Sequence, residues 1–383
     1  MMNLKYQFNF IQTLRSLLLQ GKKHSWFLTF SIWLALVFPV QALELRVAIK
    51  KNVSDVKIGS STTAIVKDNV GRKIGELNPM AALSAHSEGN KIVLEHLKGK
   101  EIIVEPQGNG YVWIGDRWYR GKTRLVISGN SITAINHVDL EQYLYSVVGA
   151  EAVSSWPIEA LKAQAVAARS YALYKRNTSG SSLYDVDTTV GTQVYKGLDT
   201  EYVTTHEAVN STTGQIMTYN NSVILAAFHS SSGGHTENVE DVWVNPLPYL
   251  RGVVDYDRES PVFQWNKNFS LAEFNNLLGI NVGKVKSVVP QKVTPRGRVV
   301  TMTIYGDRGN TEVSGKKLRK LLGLRSTLFR IQPQGNSIQV QGRGFGHGLG
   351  LSQWGAYYLA KQGVQYSQIL THYYQNTSLS EFK

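Results

Sequence analysis

The segment SSWPIEALKAQAVAARSYALYKR, residues 154–176, limits the fold more than any other part of this 383-residue chain. Alanine and straight-chain residues favour a helix. Ala160, Ala163, Ala165, Ala167, Ala168 and Ala172 leave that helix thin on several faces, so neighbours can approach closely and the helix belongs inside a domain. Ser155 is the expected N-cap, and Pro157 falls in the first turn, where its missing N–H costs little. The expected helix runs over residues 156–176. From Asp139 the whole stretch DLEQYLYSVVGAEAVSSWPIEALKAQAVAARSYALYKR reads as a short helix, a break, and then this long helix.

On either side the pattern changes. Residues 43–137 form short alternating runs such as LELRVAIK, KEIIVEP and TRLVISG, separated by glycine and asparagine turns, and predict a β-rich N-terminal region. Trp113, Trp118 and Tyr119 there suit strand packing or sugar stacking. After the long helix comes a mixed stretch with a helix near residues 202–211, an apolar strand SVILAAFH and the turn SSSGGH. Two strand-like runs and the basic helix GKKLRKLLGL define a small inserted β/α module at residues 284–335, whose basic face reads as solvated surface. The expected class is therefore α+β: a mixed helix and sheet core over residues 138–383, the β-rich region before it, and the inserted module within it. With 42% hydrophobic and 18% charged residues the chain has enough apolar material for a buried core. No fixed-period repeat is present, which argues against solenoids and propellers.

The N-terminus addresses the compartment. Lys22, Lys23 and His24 precede the uncharged run WFLTFSIWLALVFPV, residues 26–40, and Val40-Gln41-Ala42 resembles a small-residue cleavage site. Residues 1–42 are expected to serve as a signal peptide, giving a mature start at Leu43, or to stay as a membrane anchor through residues 26–40. Either outcome puts the remainder in the cell envelope, in periplasm or wall. The formal charge of +13 favours polyanionic partners. Without a long basic block, zinc-finger spacing or an RNA-binding signature, nucleic acid is not the expected partner. Cysteine is absent, which removes disulfides, thiolate metal sites and a cysteine nucleophile together.

Several residues could carry chemistry. Glu151 lies in a predicted loop before the long helix, among small and apolar neighbours that would raise its pKa and suit it to general-acid work; a solvated loop glutamate is the plainer alternative. Lys162 and Arg169, seven apart, fall on nearly one helix face, with Gln164 on another. Buried, these three need internal partners or the hydroxyls and acetamides of a sugar chain. His229 and His235 bracket FHSSSGGH with Glu237 beyond, a spacing that matches no standard zinc motif, so no metal or other cofactor is assigned. A triad of Ser231 with His229 or His347 lacks the Gly-x-Ser-x-Gly turn. Glycine at 342, 344, 346, 348 and 350 strips one side of an extended segment, so a helix or bulky ligand can reach the backbone, edged by His347, Ser352 and Gln353.

Three ordered motifs, VVGAEAVSSWPIEALKAQAVAARSYAL, FHSSSGGHTENVEDVW and GRGFGHGLGLSQWGAYYLAKQG, resemble the SpoIID/LytB family of sporulation stage II D proteins and amidase enhancers over residues 139–377. The resemblance implies lytic transglycosylase activity on peptidoglycan: cutting between N-acetylmuramic acid and N-acetylglucosamine, on glycan strands stripped of stem peptides, to leave 1,6-anhydro ends. It implies Glu151 as the acid and base, with Lys162, Gln164, Arg169, His229, Ser231, His347 and Gln353 as candidate substrate-binding residues. Some relatives bind zinc through a cysteine in the serine-glycine turn; Ser230-Ser231-Ser232 here cannot, and zinc is not carried over. The second expectation is a non-catalytic enhancer that binds wall glycan or an amidase. The third is an envelope structural protein with a carbohydrate-binding face.

Overall fold

In the computed structural model, residues 43–382 are described, except Val190 and Val244. The expected signal peptide or anchor, residues 1–42, lies outside the described residues. Eight helices are described: α1 (Leu140–Glu151), α2 (Ile158–Thr178), α3 (Val203–Asn210), α4 (Val239–Val242), α5 (Leu271–Leu278), α6 (Gly315–Leu321), α7 (Gln353–Lys361) and α8 (Tyr366–Tyr373). Together with the sheets they make a mixed α+β fold.

Helix α2 occupies the interior that its alanines predict. Ala160, Ala163, Ala165, Val166, Ala167, Ala168 and Ala172 are all buried. With methyl groups in place of longer side chains, α1, α3, α7, α8 and the strand Gln215–Tyr219 all come into contact with it. The helix starts two residues later than expected. Pro157, not Ser155, sits at the N-cap, with no side-chain cap. Ser155 is exposed and makes no cap bond. Glu151 is not in a loop: it is the last residue of α1, whose first turn is capped by Asp139 accepting from the Gln142 N–H.

Before α1 the chain builds two sheets. One has seven strands in the order Val186–Asp187, Glu44–Val53, Ser131–Asp139, Lys122–Ser128, Glu101–Pro106, Ala64–Lys67, Lys73–Leu77. The other has six, including Asp55–Ser60, where buried Val56 and Ile58 alternate with exposed Asp55 and Lys57, the period of a strand with one face on the core. Trp113 and Trp118 pair edge to face across neighbouring strands, and Tyr119 is buried. Val186–Asp187 follows α2 in the chain yet pairs parallel with Glu44–Val53, tying the later segment to the N-terminal sheet.

The run SVILAAFH is not one strand. It splits into Ser222–Val223 and Phe228–His229, with buried Ile224, Ala226 and Ala227 between them filling the core around α2. The segment containing residues 284–335 carries the sheet Val285–Val293, Val299–Gly306, Gly309–Ser314 and helix α6. Its core draws in flanking elements too, from Trp265 to Val340.

Arg169 and Lys162 find protein partners. The Arg169 guanidinium is fully buried and bidentate to Glu141, with Nε to Oε1 at 2.8 Å and Nη2 to Oε2 at 2.6 Å, and its Nη1 donates to the Gln215 carbonyl at 3.0 Å. Removing it would leave the Glu141 carboxylate with the Gly214 N–H at 3.2 Å and no cation, and would take the guanidinium donor from the Gln215 carbonyl. Arg169→Ala is expected to lose about 3 kcal/mol of stability, the range for breaking a buried pair from one side, measured by urea denaturation; a loss below about 1 kcal/mol would show the pair to be dispensable.

Candidate functional site

Segments from the end of α1 to the start of α7 converge on a cleft of about 470 Å³ lined by Glu151, Tyr171, Thr192, Val194, Phe228, His229, Trp243, Arg319, Phe345, His347 and Gln353, among others. The end of α1 supplies Glu151. The loop after Val186–Asp187 supplies Thr192 and Val194. The short parallel pair Phe228–His229 and Leu351–Ser352 sets His229 beside the start of α7, where Gln353 stands. Ser352 caps α7 by accepting from the Gly355 N–H at 3.3 Å.

The loop opposite Glu151 is fixed from both sides. Asp187 Oδ1 accepts from the Thr189 and Thr192 hydroxyls at 2.7 and 2.8 Å, and Lys51 of the N-terminal sheet donates to Oδ2 at 2.7 Å. Gln193 is buried, donating to the Ala168 carbonyl of α2 at 3.2 Å and accepting from the Tyr143 hydroxyl at 3.1 Å. The next residue, Val194, then aims its N–H at Glu151 Oε1, 2.7 Å away.

Burial raises the Glu151 pKa above the ordinary glutamate value; the Val194 N–H, the Gln353 amide and the charge of Lys196 oppose that rise without cancelling it. Behind it, Gln353 Nε2 donates to Gln164 Oε1 at 3.3 Å, and both amides are buried. Gln164 Nε2 has no partner among the described residues. Gln164 thus orients the residue that lines the cleft and is not itself among the lining residues.

His229 and His347 face one another with ring centroids 5.3 Å apart, and Trp243 lies at 5.3 Å from His347. Burial, then the cations Arg298 and Arg319, push the His347 pKa down to about 3. Burial, then His347 and Arg298, hold His229 well below the usual imidazole range. Both rings are therefore neutral at pH 7. The Leu349 N–H donates to His347 Nδ1 at 3.0 Å, which leaves the proton on Nε2. His229 Nδ1–H donates to the Leu349 carbonyl at 3.1 Å, and its Nε2 lone pair has no partner among the described residues.

Other sequence candidates lie apart from the cleft lining. Lys162 donates to Glu159 Oε1 at 2.9 Å and sits over the Tyr366 ring, tying α2 to α8. Arg169 is held by Glu141, as above. Ser231 is fully buried and its hydroxyl donates to Asp257, which also accepts from the Gly233 N–H. Among the described residues no imidazole bonds that hydroxyl, so the triad with His229 or His347 is not assembled. Lys162, Arg169 and Ser231 are not among the residues that line the cleft, and the polar head of each is engaged by protein. His235 Nδ1–H donates to the Thr236 carbonyl at 2.6 Å, while Glu237 turns to Thr294 and Arg298, so His229, His235 and Glu237 do not converge. Among the described residues no three His, Asp or Glu side chains are grouped to hold a metal ion.

The alternating glycines do not form a stripped strand. Gly344, Gly346, Gly348 and Gly350 all have positive φ, and the space they leave is taken by protein. A Cβ on Gly348 would lie 2.2 Å from Arg298 Nη2, and one on Gly346 would lie 2.6 Å from the His229 Cβ. Fully buried Arg298 donates to the Ser232 carbonyl at 2.7 Å, so these glycines let the inserted segment lock the serine turn behind the cleft.

Residues the sequence did not single out complete the walls: Tyr171, Phe228, Trp243 and Phe345 are aromatic, Thr192 is polar, and Arg319 comes from α6. The basic run containing Arg319 had read as solvated surface. Glu151 and Arg319 are the charged residues of the described lining.

The Glu151 pKa shift makes a stability prediction. A carboxyl raised in the folded state contributes stability at low pH that is lost as pH rises through its folded pKa. Glu151→Gln removes that loss, so the variant is expected to be more stable than the parent at pH 8, the gap closing by pH 4. Thermal melts at both pH values would read this, and an equal or lower melting temperature for the variant at pH 8 would contradict a raised pKa.

The chain matches the family described as Stage II sporulation protein over residues 128–219, and a domain of unknown function, DUF8618, over residues 250–350. It is 38% identical to Stage II sporulation protein D of Bacillus subtilis over 271 residues, 65% of this chain and 76% of that protein. An uncharacterised protein of Brachyspira hyodysenteriae is 31% identical over 330 residues, 84% of this chain and 83% of that one. The Amidase enhancer of Bacillus subtilis is 29% identical over 294 residues, 62% of this chain and 40% of the other. With the glutamate, serine-glycine and glycine-histidine motifs meeting at one cleft and these relatives spanning most of the chain, it belongs to the SpoIID/LytB family.

Proposed function

We propose that this protein is an exported lytic transglycosylase of the cell wall, cleaving the N-acetylmuramic acid–N-acetylglucosamine bond of stem-peptide-free glycan strands. The observation that carries the reading is a single carboxyl, Glu151, half-buried in an aromatic-walled cleft with its pKa raised. A protonated carboxyl held there can donate to the leaving glycosidic oxygen. The resulting carboxylate then takes the proton of the muramic C6 hydroxyl as that oxygen closes on C1, giving a 1,6-anhydro end and consuming no water. Glycoside hydrolases of the common kinds need two carboxylates flanking the bond. The described lining offers one, which suits an intramolecular nucleophile better than an activated water.

In this reading the Val194 N–H steadies the carboxylate form and Gln353 keeps the carboxyl oriented, so that one group serves as acid and then base. The neutral imidazoles of His229 and His347 add hydrogen-bonding edges without adding charge. Trp243, Tyr171, Phe228 and Phe345 offer faces on which sugar rings stack. The similarity to a protein named Amidase enhancer supports a second reading, a non-catalytic partner that binds wall glycan or an amidase and stimulates it. The deeply set, pKa-shifted Glu151 favours catalysis over that alternative.

Incubating the protein with amidase-stripped glycan strands and reading the products by mass spectrometry is expected to give 1,6-anhydro-muramic ends. Glu151→Gln should lower their rate of formation by about a hundredfold or more while strand binding persists. Absence of such ends with the parent protein, with glycan or amidase binding retained, would favour the enhancer.

A further inference from the structure

We propose that Arg319 is the specificity-determining cation of the cleft, receiving a free carboxylate of the glycan; the inference rests on the glycan-cleaving reading above. Arg319 is half-buried on α6 and lines the same cleft as Glu151. Its neighbours on the helix anchor it: Leu318 is fully buried, and Ser314 caps the helix by accepting from the Lys317 N–H at 3.2 Å.

What sets Arg319 apart is its lack of a partner. The other buried arginines are engaged, Arg169 by Glu141 and Arg298 by Glu237 and the Ser232 carbonyl. Among the described residues Arg319 makes no ion pair and no side-chain hydrogen bond, and its pKa is lowered by burial with no acid opposing it. Glu151 is not the missing partner, since the cation that acts on its carboxyl is Lys196. A half-desolvated guanidinium with open donors, among neutral imidazoles and aromatic rings, is arranged to take an anion from outside the protein. Its planar fork matches a carboxylate with two parallel hydrogen bonds.

On a peptidoglycan glycan strand the anionic group of that shape is the lactyl carboxylate of muramic acid. It is free only where the stem peptide has been removed; an attached peptide turns it into a neutral amide. Arg319 therefore distinguishes stripped from peptide-bearing strands by charge, in addition to any effect of bulk. The inserted segment, which has no carboxyl in the described lining, enters the site as the reader of this group.

The test compares the protein, Arg319→Gln and Arg319→Lys on two substrates: amidase-stripped strands, and the same strands with their carboxylates converted to methylamides. The parent is expected to lose at least tenfold in kcat/KM on the amidated strands. Arg319→Gln should lose about tenfold on stripped strands and treat both substrates alike, with Arg319→Lys recovering part of the preference. Parent and Arg319→Gln preferring stripped strands equally would overturn the proposal while leaving the transglycosylase reading intact. If the parent cleaves neither substrate, that reading fails, and calorimetric binding of both strands decides Arg319 by itself: a preference for the carboxylate lost in Arg319→Gln upholds the anion site, and a preference unchanged overturns it. Matching melting temperatures exclude misfolding of the variants.

Discussion

Close approach to α2 is the constraint on which the rest of the structure depends. Its buried alanines allow α1, α7 and the strand Gln215–Tyr219 to touch one rod at once. Each alanine contributes little burial by itself. What it provides is proximity, because a leucine at the same place would push a neighbour outward by more than the core tolerates. The C-terminus of α1 and the N-terminus of α7 meet near one another for this reason, and with them Glu151 and the Gln353–Gln164 amide pair. The Arg169–Glu141 pair fastens α2 to α1 farther along.

Electrostatically the cleft is sparse. Two histidines that would carry partial charge in water are held neutral by burial and by cations behind them. In a region of low effective dielectric each remaining charge acts over a greater distance and at greater strength. A raised carboxyl pKa and an arginine without an acid are both costly arrangements for a folded protein, and sites of chemistry are where such costs are commonly retained. Beneath the serine turn a second polar group is packed away from water: Ser231 donates to Asp257, and Ser232 and Tyr373 donate to Asp255.

Much of this was legible in the residues. The alanine pattern announced a buried helix, alternation announced strands in the N-terminal region, and the small neighbours of Glu151 announced a desolvated acid. The fates of polar side chains on α2 were not legible, because they turn on partners far away in sequence: Arg169 answers to Glu141, and Gln164 to Gln353. Seven-residue spacing placed Lys162 and Arg169 on one face, yet each is bound to a different carboxylate. The run KKLRK hid Arg319 for the same reason, since helical periodicity alone cannot say which cation of a basic helix meets another part of the chain. The glycine row was legible as close approach. That the approaching groups are Arg298 and His229 required the tertiary structure.

The parallel pairing of Phe228–His229 with Leu351–Ser352 has a consequence in time. A ribosome makes Glu151 well before Gln353, so the strand Leu351–Ser352 and α7, which bring Gln353 to the cleft, arrive late. The setting of Glu151 is complete only once the C-terminal motif has docked, which ties the environment of this one carboxyl to the folding of residues far away in the chain.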